Sequence, residues 1–287
     1  MRQMLDWQGI SRQAAHQGIA RLHKAQRDIW DTVELAAQVR SEHPQMGCRD
    51  IYYSLREKMP RGRDWTEQLL LACGYRVKTP PRSFTIAGAD ICPNLIEGKS
   101  LTGSNQVWQT DITYVWSGGR WYYVSFVVDV YTRQILASHC SRNLSSAGQV
   151  RCLGKALARQ KTKNLSGLIV HTDRGVQYTS SEYKNYLVRW GLSHSMAHYA
   201  WQNAYCERVN RTIKGNYLAY YNTDSYRSLC AGVAKAVRLY NSSKPHRGLP
   251  SRLSPDQFVK ERSQGSYVDY HVTIWSKLTA TGMLHVN

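Results

Sequence analysis

The amino-acid sequence predicts an α/β domain carried behind a smaller, all-helical one. Three observations lead there. The first 75 or so residues place apolar side chains at helical spacing between Pro and Gly stops. A stretch of paired prolines, glycines and basic residues without sustained periodicity follows, from Arg76 to about Ser104. Beyond it, β-branched and aromatic runs give way to alternating amphipathic and apolar segments. The expected organisation is a helical region over residues 1–75, a basic linker over 76–104, an α/β core over 105–222, and a C-terminal helix with a basic tail over 223–287.

In the helical part, "GISRQAAHQGIARLHK" offers Ser11 as an N-cap, and "WDTVELAAQVRSEH" sets Val33, Ala36, Ala37 and Arg40 at helical intervals. "HPQMGCRDIYYSLREK" stops at Pro44 and Gly47 and restarts with Ile51, Tyr52 and Leu55, and "DWTEQLLLACGY" begins with Asp64 as its expected cap. Short helices separated by tight turns suit a helix-turn-helix module, with a packing bundle as the alternative.

After the linker, "VWQTDITYVWSGGRWYYVSFVVDVYTRQILASHC" contains three strand-type runs. Ser117-Gly118-Gly119 makes the first turn between them, and a bend near Tyr131-Thr132 makes the second. "SSAGQVRCLGKALARQ" is a helix with Val150, Leu153, Ala156 and Leu157 on one face, and "LSGLIVHT" is a buried strand. "SSEYKNYLVRWG" is a helix closed by Gly191, "LSHSM" a short strand, and "NAYCERVNRTIKGNYLAYY" a long helix. The order β, β, β, α, β, α, β, α implies a meander extended by parallel strands through helical crossovers, which is the element order of a ribonuclease H-like fold. "SYRSLCAGVAKAVRLYN" and "PDQFVKERS" add two further helices around a basic loop.

Charge narrows the class of partner. With 38 Lys and Arg against 20 Asp and Glu, the net charge of +18 attracts polyanions, and basic residues interleaved with Trp and Tyr favour nucleic acid over an anionic membrane. No apolar run approaches the ~18 residues of a membrane span. The opening "MRQMLDWQGISRQ" lacks a secretory h-region, so a cytoplasmic location is expected. Seven cysteines, an odd number without C-x-x-C spacing, suit reduced thiols.

Three acids occupy positions where chemistry would want them: Asp111 in the middle of the first core strand, Asp173 at the C-terminal end of the fourth, and Glu207 one turn into the helix after the fifth. If the first and fourth strands are parallel neighbours, Asp111 and Asp173 converge and the helix brings Glu207 to them. Carboxylates gathered in this way repel one another and raise each other's pKa unless cations intervene. Oxygen ligands of this kind suit Mg2+, with Mn2+ able to substitute, and a pair of such ions serves in-line displacement at phosphorus. Asp129 competes with Asp111 but is better read as a turn residue. His171 is better read as packed than as a ligand. Arg208 stands beside Glu207, while Arg211 and Lys214 lie one and two turns on along its face, where they could hold a phosphate backbone or form a solvated basic face. No P-loop, G-x-S-x-G elbow or H-E-x-x-H helix is present.

Taken together, "VWQTDITYV", "VVDVYTRQI", "VHTDRGVQYTS", "NAYCERVNRTIKG" and "YNSSKPHRGLPSRLSPDQF" resemble the integrase core of bacterial IS3-type insertion-sequence transposases, whose catalytic protein comes from a second reading frame. "MGCRDIYYSL" is similar to that family's helix-turn-helix segment. The resemblance implies that Asp111, Asp173 and Glu207 form an Asp-Asp-Glu metal-binding and catalytic triad, and that Lys214 is the basic residue two turns after the Glu. Asn203 and Ala204 match the family's "NA", and Asn203, Arg174, Arg208, Arg211 and Lys214 are the expected DNA contacts. It further implies Mg2+-dependent cleavage at element ends and transfer of the freed 3′ hydroxyl to another phosphodiester. The expected partners are terminal inverted repeats and target DNA, further copies of the chain, and the first-frame protein or a fusion to it, in a nucleoid-associated bacterial setting without a membrane. The Asp173-to-Glu207 interval is slightly shorter than the family norm, and the "CRDIYY" segment departs from the usual Tyr-Gly-Arg pattern. The alternative is an inactive or repurposed DNA-binding protein retaining the fold.

Overall fold

The computed structural model describes residues 11–77, 92–160 and 165–274. The chain divides into two compact units, residues 1–79 and 80–287. In the first, Ser11 caps a single long helix, α1 (Arg12–Glu42), by accepting from the Ala14 N–H at 3.1 Å. The sequence suggested two shorter helices here. No Gly or Pro lies between Leu22 and Asp31 to interrupt them, so they run together.

Two short helices follow, α2 (Cys48–Ser54) and α3 (Arg63–Ala72). They pack on α1 through Ala36, Ile51 and Leu70, with Met46 and Cys48 filling the same core. Gly62, not Asp64, is the N-cap of α3; Asp64 sits in the first turn, paired with Arg63 at 2.8 Å, where its charge still favours the helix dipole. Residues 55–62 link α2 to α3, a longer connection than the roughly three to four residues of a minimal helix-turn-helix.

The second unit comprises β1 (Ser100–Leu101), β2 (Val107–Ser117), β3 (Arg120–Asp129), β4 (Ile135–Ser141), α4 (Ser146–Arg159), β5 (Ile169–Thr172), α5 (Val176–Thr179), α6 (Ser181–Arg189), β6 (Ser193–Met196), α7 (Ala204–Asn216), α8 (Tyr226–Ser242), α9 (Pro255–Ser263) and β7 (Val272–Thr273). Five strands form one mixed sheet in the order β4-β3-β2-β5-β6, antiparallel through the meander and parallel from β2 to β6. This is the α/β, ribonuclease H-like arrangement the element order predicts.

Each face of the sheet has its own core. On one, Val115, Tyr122, Val124, Phe126 and Val128 pack against Cys206, Val209 and Ile213 of α7 and Leu229, Val233 and Ala236 of α8. On the other, Trp108, Val127 and Val170 meet Cys152, Leu153 and Ala156 of α4 and Tyr183 and Leu187 of α6. The β2–β3 turn needs its glycines. Gly118 and Gly119 have φ of 52° and 79°, and a Cβ on Gly118 would come within 2.2 Å of the Asp224 carbonyl oxygen.

Residues 92–104 belong to this unit, which corrects the C-terminal part of the expected linker; residues 78–91 lie outside the described residues. Ile96 and Leu101 are buried in a third cluster with Val130, Phe258 and Val272, the Leu95 N–H donates to Ser195 Oγ at 2.9 Å, and β1 pairs antiparallel with β7. These contacts span most of the domain in sequence, so local periodicity carries no trace of them. Among the described residues, no helix is long and apolar enough to cross a membrane.

Candidate active site

The parallel pairing of β2 with β5 sets two of the acids side by side. Its last two pairs are Gln109 with His171 and Thr110 with Thr172, so Asp111 and Asp173 each stand one step beyond the final pair. Asp111 accepts from the Ile112 N–H at 2.8 Å and from Asn210 Nδ2 of α7 at 2.7 Å. Asp173 accepts from the Gly175 N–H at 3.0 Å. Glu207 lies in the first turn of α7, the helix whose buried side packs over β2 and β3.

The anchor of α7 is Gln109, fully buried on β2 two residues before Asp111. Its Oε1 accepts from the N–H groups of Tyr205 (3.0 Å) and Cys206 (3.2 Å), and its Nε2 donates to the Gln202 carbonyl at 3.0 Å. The first turn of a helix has no intrahelical partners for its N–H groups, and Asn203 makes no side-chain cap here. The strand supplies the cap instead, which ties Glu207 to the strand that carries Asp111. Asn203 is buried and donates through Nδ2 to the Thr110 carbonyl at 3.2 Å, a second tie between helix and strand.

The acids feel one another. Burial raises the Asp111 pKa well above its ordinary value, Asp173 and then Glu207 push it further, and the hydrogen bonds from Ile112 and Asn210 act in opposition. Asp173 is raised by burial against the pull of the Gly175 N–H. Glu207 is raised by burial, lowered by Arg211 on the next turn, and raised again by Asp173. Among the described residues, neither Asp111 nor Asp173 has a basic side chain as a hydrogen-bond partner. An all-carboxylate donor set with elevated pKa values and no neutralising ion pair fits a hard divalent cation. Among the described residues, no three His, Cys, Asp or Glu side chains are drawn closely enough together to hold a metal as they stand. The donor types suit such an ion, although the three side chains are not drawn together into a formed metal site.

Two integrase core domain families match the chain, over residues 102–199 and 189–255, a span that takes in all three acids. The transposase InsF for insertion sequence IS3A of Escherichia coli (strain K12) is 30% identical over 241 residues, covering 81% of this chain and 82% of the relative. The chain belongs to the IS3-type, integrase-core transposases. It is also 28% identical over 213 residues to an uncharacterized 31 kDa protein of insertion element IS600 from Shigella sonnei, covering 73% of this chain and 76% of that one. Among solved structures, the HTLV-2 integrase catalytic core domain in complex with magnesium (trimeric form) is similar at 21% identity and a TM-score of 0.44, covering 57% of this chain and 98% of that chain. Membership makes this transposase a polynucleotidyl transferase by class, with DNA transposition as the work of its core.

The remaining sequence candidates of this transposase divide by position. Arg211 and Lys214 are exposed on α7, and Arg211 acts electrostatically on Glu207. Arg208 is exposed but turned elsewhere, its charge felt at Tyr240 and His246. Arg174 spends its guanidinium on the carbonyls of Ala197 (3.1 Å) and His198 (3.0 Å), bracing the segment that leads from β6 towards α7. His171 is buried with Nδ1 at 2.8 Å from Ser195 Oγ, and burial pushes its pKa down to about 3, so the imidazole is neutral. Asp129 closes the β3–β4 turn by accepting from Thr132 N (2.7 Å) and Thr132 Oγ1 (3.1 Å), the turn role its position suggested, and also accepts from Asn105 N (2.7 Å) just before β2.

Sequence reasoning missed Gln109 and Asn210. A signal existed for each. Gln109 is a polar residue at a strand position sharing a face with Asp111, and Asn210 lies three residues after Glu207 on one helix side, but neither residue type points to a role without a partner in view.

Proposed function

We propose that this protein is a divalent-metal-dependent DNA transposase that cleaves the strand at its element's ends and transfers the freed 3′ hydroxyl to another phosphodiester, with no covalent protein–DNA intermediate. Asp111, Asp173 and Glu207 would hold Mg2+, or Mn2+ in its place. When bound, a pair of such ions activates the attacking oxygen and neutralises charge on the leaving one. The chain's own residues do the rest. Asn210 fixes the orientation of Asp111, and Gln109 holds α7 so that Glu207 faces the two aspartates. Arg211 and Lys214 present cationic ends along the same helix for the phosphate backbone, and the chain's charge of +18 draws DNA to the site. Pairing two element ends calls for more than one copy on the DNA, with the first-frame protein, free or fused, as a further partner in the bacterial cytoplasm.

The observation that carries this reading is the placement of Asp111 and Asp173 one step beyond the last β2–β5 pair, with Glu207 in the first turn of the helix that Gln109 ties to the same strand, and with no basic side chain among the hydrogen-bond partners of the two aspartates in the described residues. The test is Glu207→Gln in an assay of cleavage and joining on element-end DNA. Both activities should vanish while DNA binding persists. Unchanged joining would remove Glu207 from the reaction, and cleavage of an RNA–DNA hybrid in preference to element-end DNA would redirect the proposal to ribonuclease H chemistry.

A further inference from the structure

The hairpin of β2 and β3 outruns the rest of the sheet. These two strands pair from Trp108 with Asp129 as far as Ser117 with Arg120, whereas β5 pairs only with Val107–Thr110 and ends beside Asp173. From Asp111 outward the hairpin therefore extends past the carboxylates without β5 at its side. Along one face of this overhang the alternate residues are aromatic: Tyr114 and Trp116 on β2, opposite Tyr123 and Trp121 on β3. Tyr114 and Tyr123 meet edge to face with centroids 5.2 Å apart, and so do Trp116 and Trp121 at 5.2 Å.

Cross-strand aromatic pairs stabilise hairpins, but this hairpin already has the means to be stable. Val115, Tyr122 and Val124 are buried on its opposite face against α7 and α8. Its tip is braced where Ser117 Oγ donates to the Thr223 carbonyl and where Gly118 lies against Asp224. The indoles of Trp116 and Trp121 nevertheless remain 56% and 51% exposed, with Tyr114 at 39%. Large flat rings held rigidly and half in water are costly to leave uncovered unless something docks on them. Tyr114 stands three residues beyond Asp111 on β2, on the face opposite the one Asp111 shares with Gln109 and Val115, and the overhang carries that face past the carboxylates.

We propose that Tyr114, Trp116, Trp121 and Tyr123 form a stacking platform for unpaired nucleobases of the DNA strand next to the scissile phosphate. A base inside a duplex has both faces covered by its neighbours, whereas an unpaired base has a free π-face that any aromatic ring can receive, so the preference is for single-stranded character and not for sequence. The phosphates of that strand suit the strongly basic chain. This inference rests on the proposed DNA-processing role.

The test measures metal-free binding of fluorescein-labelled element-end DNA, either blunt or with a short single-stranded extension carrying 2-aminopurine. The wild-type chain should favour the extended DNA by about tenfold or more and quench the 2-aminopurine. Replacing both indoles, Trp116→Leu with Trp121→Leu, should abolish preference and quenching while leaving blunt-duplex affinity unchanged and lowering the melting temperature by no more than a few degrees. The pair Trp116→Phe with Trp121→Phe should retain most of both. Retained preference in the leucine pair would overturn the proposal, as would equal weakening on both DNAs, which would return the rings to a structural role. Because no metal or turnover is involved, failure of the platform leaves the Glu207→Gln result untouched, and failure of that result leaves the binding preference readable. Absence of binding to either DNA would overturn both.

Discussion

Replacing Gln109 should both destabilise the core and loosen the active site, because one buried side chain serves as the N-terminal cap of α7. Gln109→Ala removes three hydrogen bonds, two accepted from Tyr205 and Cys206 and one donated to Gln202. The Cys206 N–H and the Gln202 carbonyl are buried and would be left without a partner, at about 1–3 kcal/mol each. The expected loss is about 2–5 kcal/mol, a large share of the ~5–15 kcal/mol that holds a typical protein folded. In a unit of this size that corresponds to a fall in Tm of roughly 5–15 °C. Gln109→Met keeps the volume and removes only the polar atoms, so it should lose nearly as much. Urea unfolding measures the stability. Mn2+ concentration dependence of end cleavage measures the site, and the half-saturating concentration should rise in both variants as Glu207 loses its fixed position. A methionine variant within about 0.5 kcal/mol of wild type would refute the reasoning, since packing and not hydrogen bonding would then hold the helix.

Three further outcomes follow from the geometry. The folded-state pKa values of Asp111, Asp173 and Glu207 are raised, so their contribution to stability is fully present below the ordinary carboxylate range and is lost as pH rises through the folded values. Metal-free Asp111→Asn should therefore melt higher than wild type at pH 7.5, with the gap narrowing towards pH 4; a lower Tm at pH 7.5 would contradict the repulsion. Lys214→Ala should weaken binding across DNA sequences and reduce the log-log salt slope by about one, whereas an unaltered slope would make Lys214 a solvated residue. Asp129→Ala removes two bonds that close the β3–β4 turn and one from Asn105 before β2, and should cost about 2–4 kcal/mol in urea unfolding; a change below about 0.5 kcal/mol would deny that carboxylate its structural role.

Where the candidate acids lie in the fold was legible in the sequence because the relevant signals are local or follow from topology. Asp111, Asp173 and Glu207 could be placed from strand and helix order alone, since a β-meander followed by a parallel strand through a right-handed crossover leaves few arrangements. Gly118-Gly119 marked the turn by its backbone demands. The rest depends on contacts between distant segments. Gln109 looks like any strand glutamine until the first turn of α7 is laid over it. Asn203 and Arg174 matched family positions expected at DNA, yet one is buried on the Thr110 carbonyl and the other is bonded to the carbonyls of Ala197 and His198. The 92–104 segment read as linker because its apolar residues are few and widely spaced; it is held by a two-residue strand pairing with β7, near the far end of the unit. Acids favour helix starts, which makes Asp64 the expected cap, yet Gly62, which has no side chain to signal a cap, holds that position.

The central claim is that the three carboxylates bind one divalent centre. An anomalous difference map from crystals grown with Mn2+ tests it most directly. The account predicts density within about 2.1 Å of an oxygen from each of Asp111 and Asp173, with Glu207 turned to join them. Manganese bound elsewhere on the chain, with this site empty at saturating metal, would contradict it.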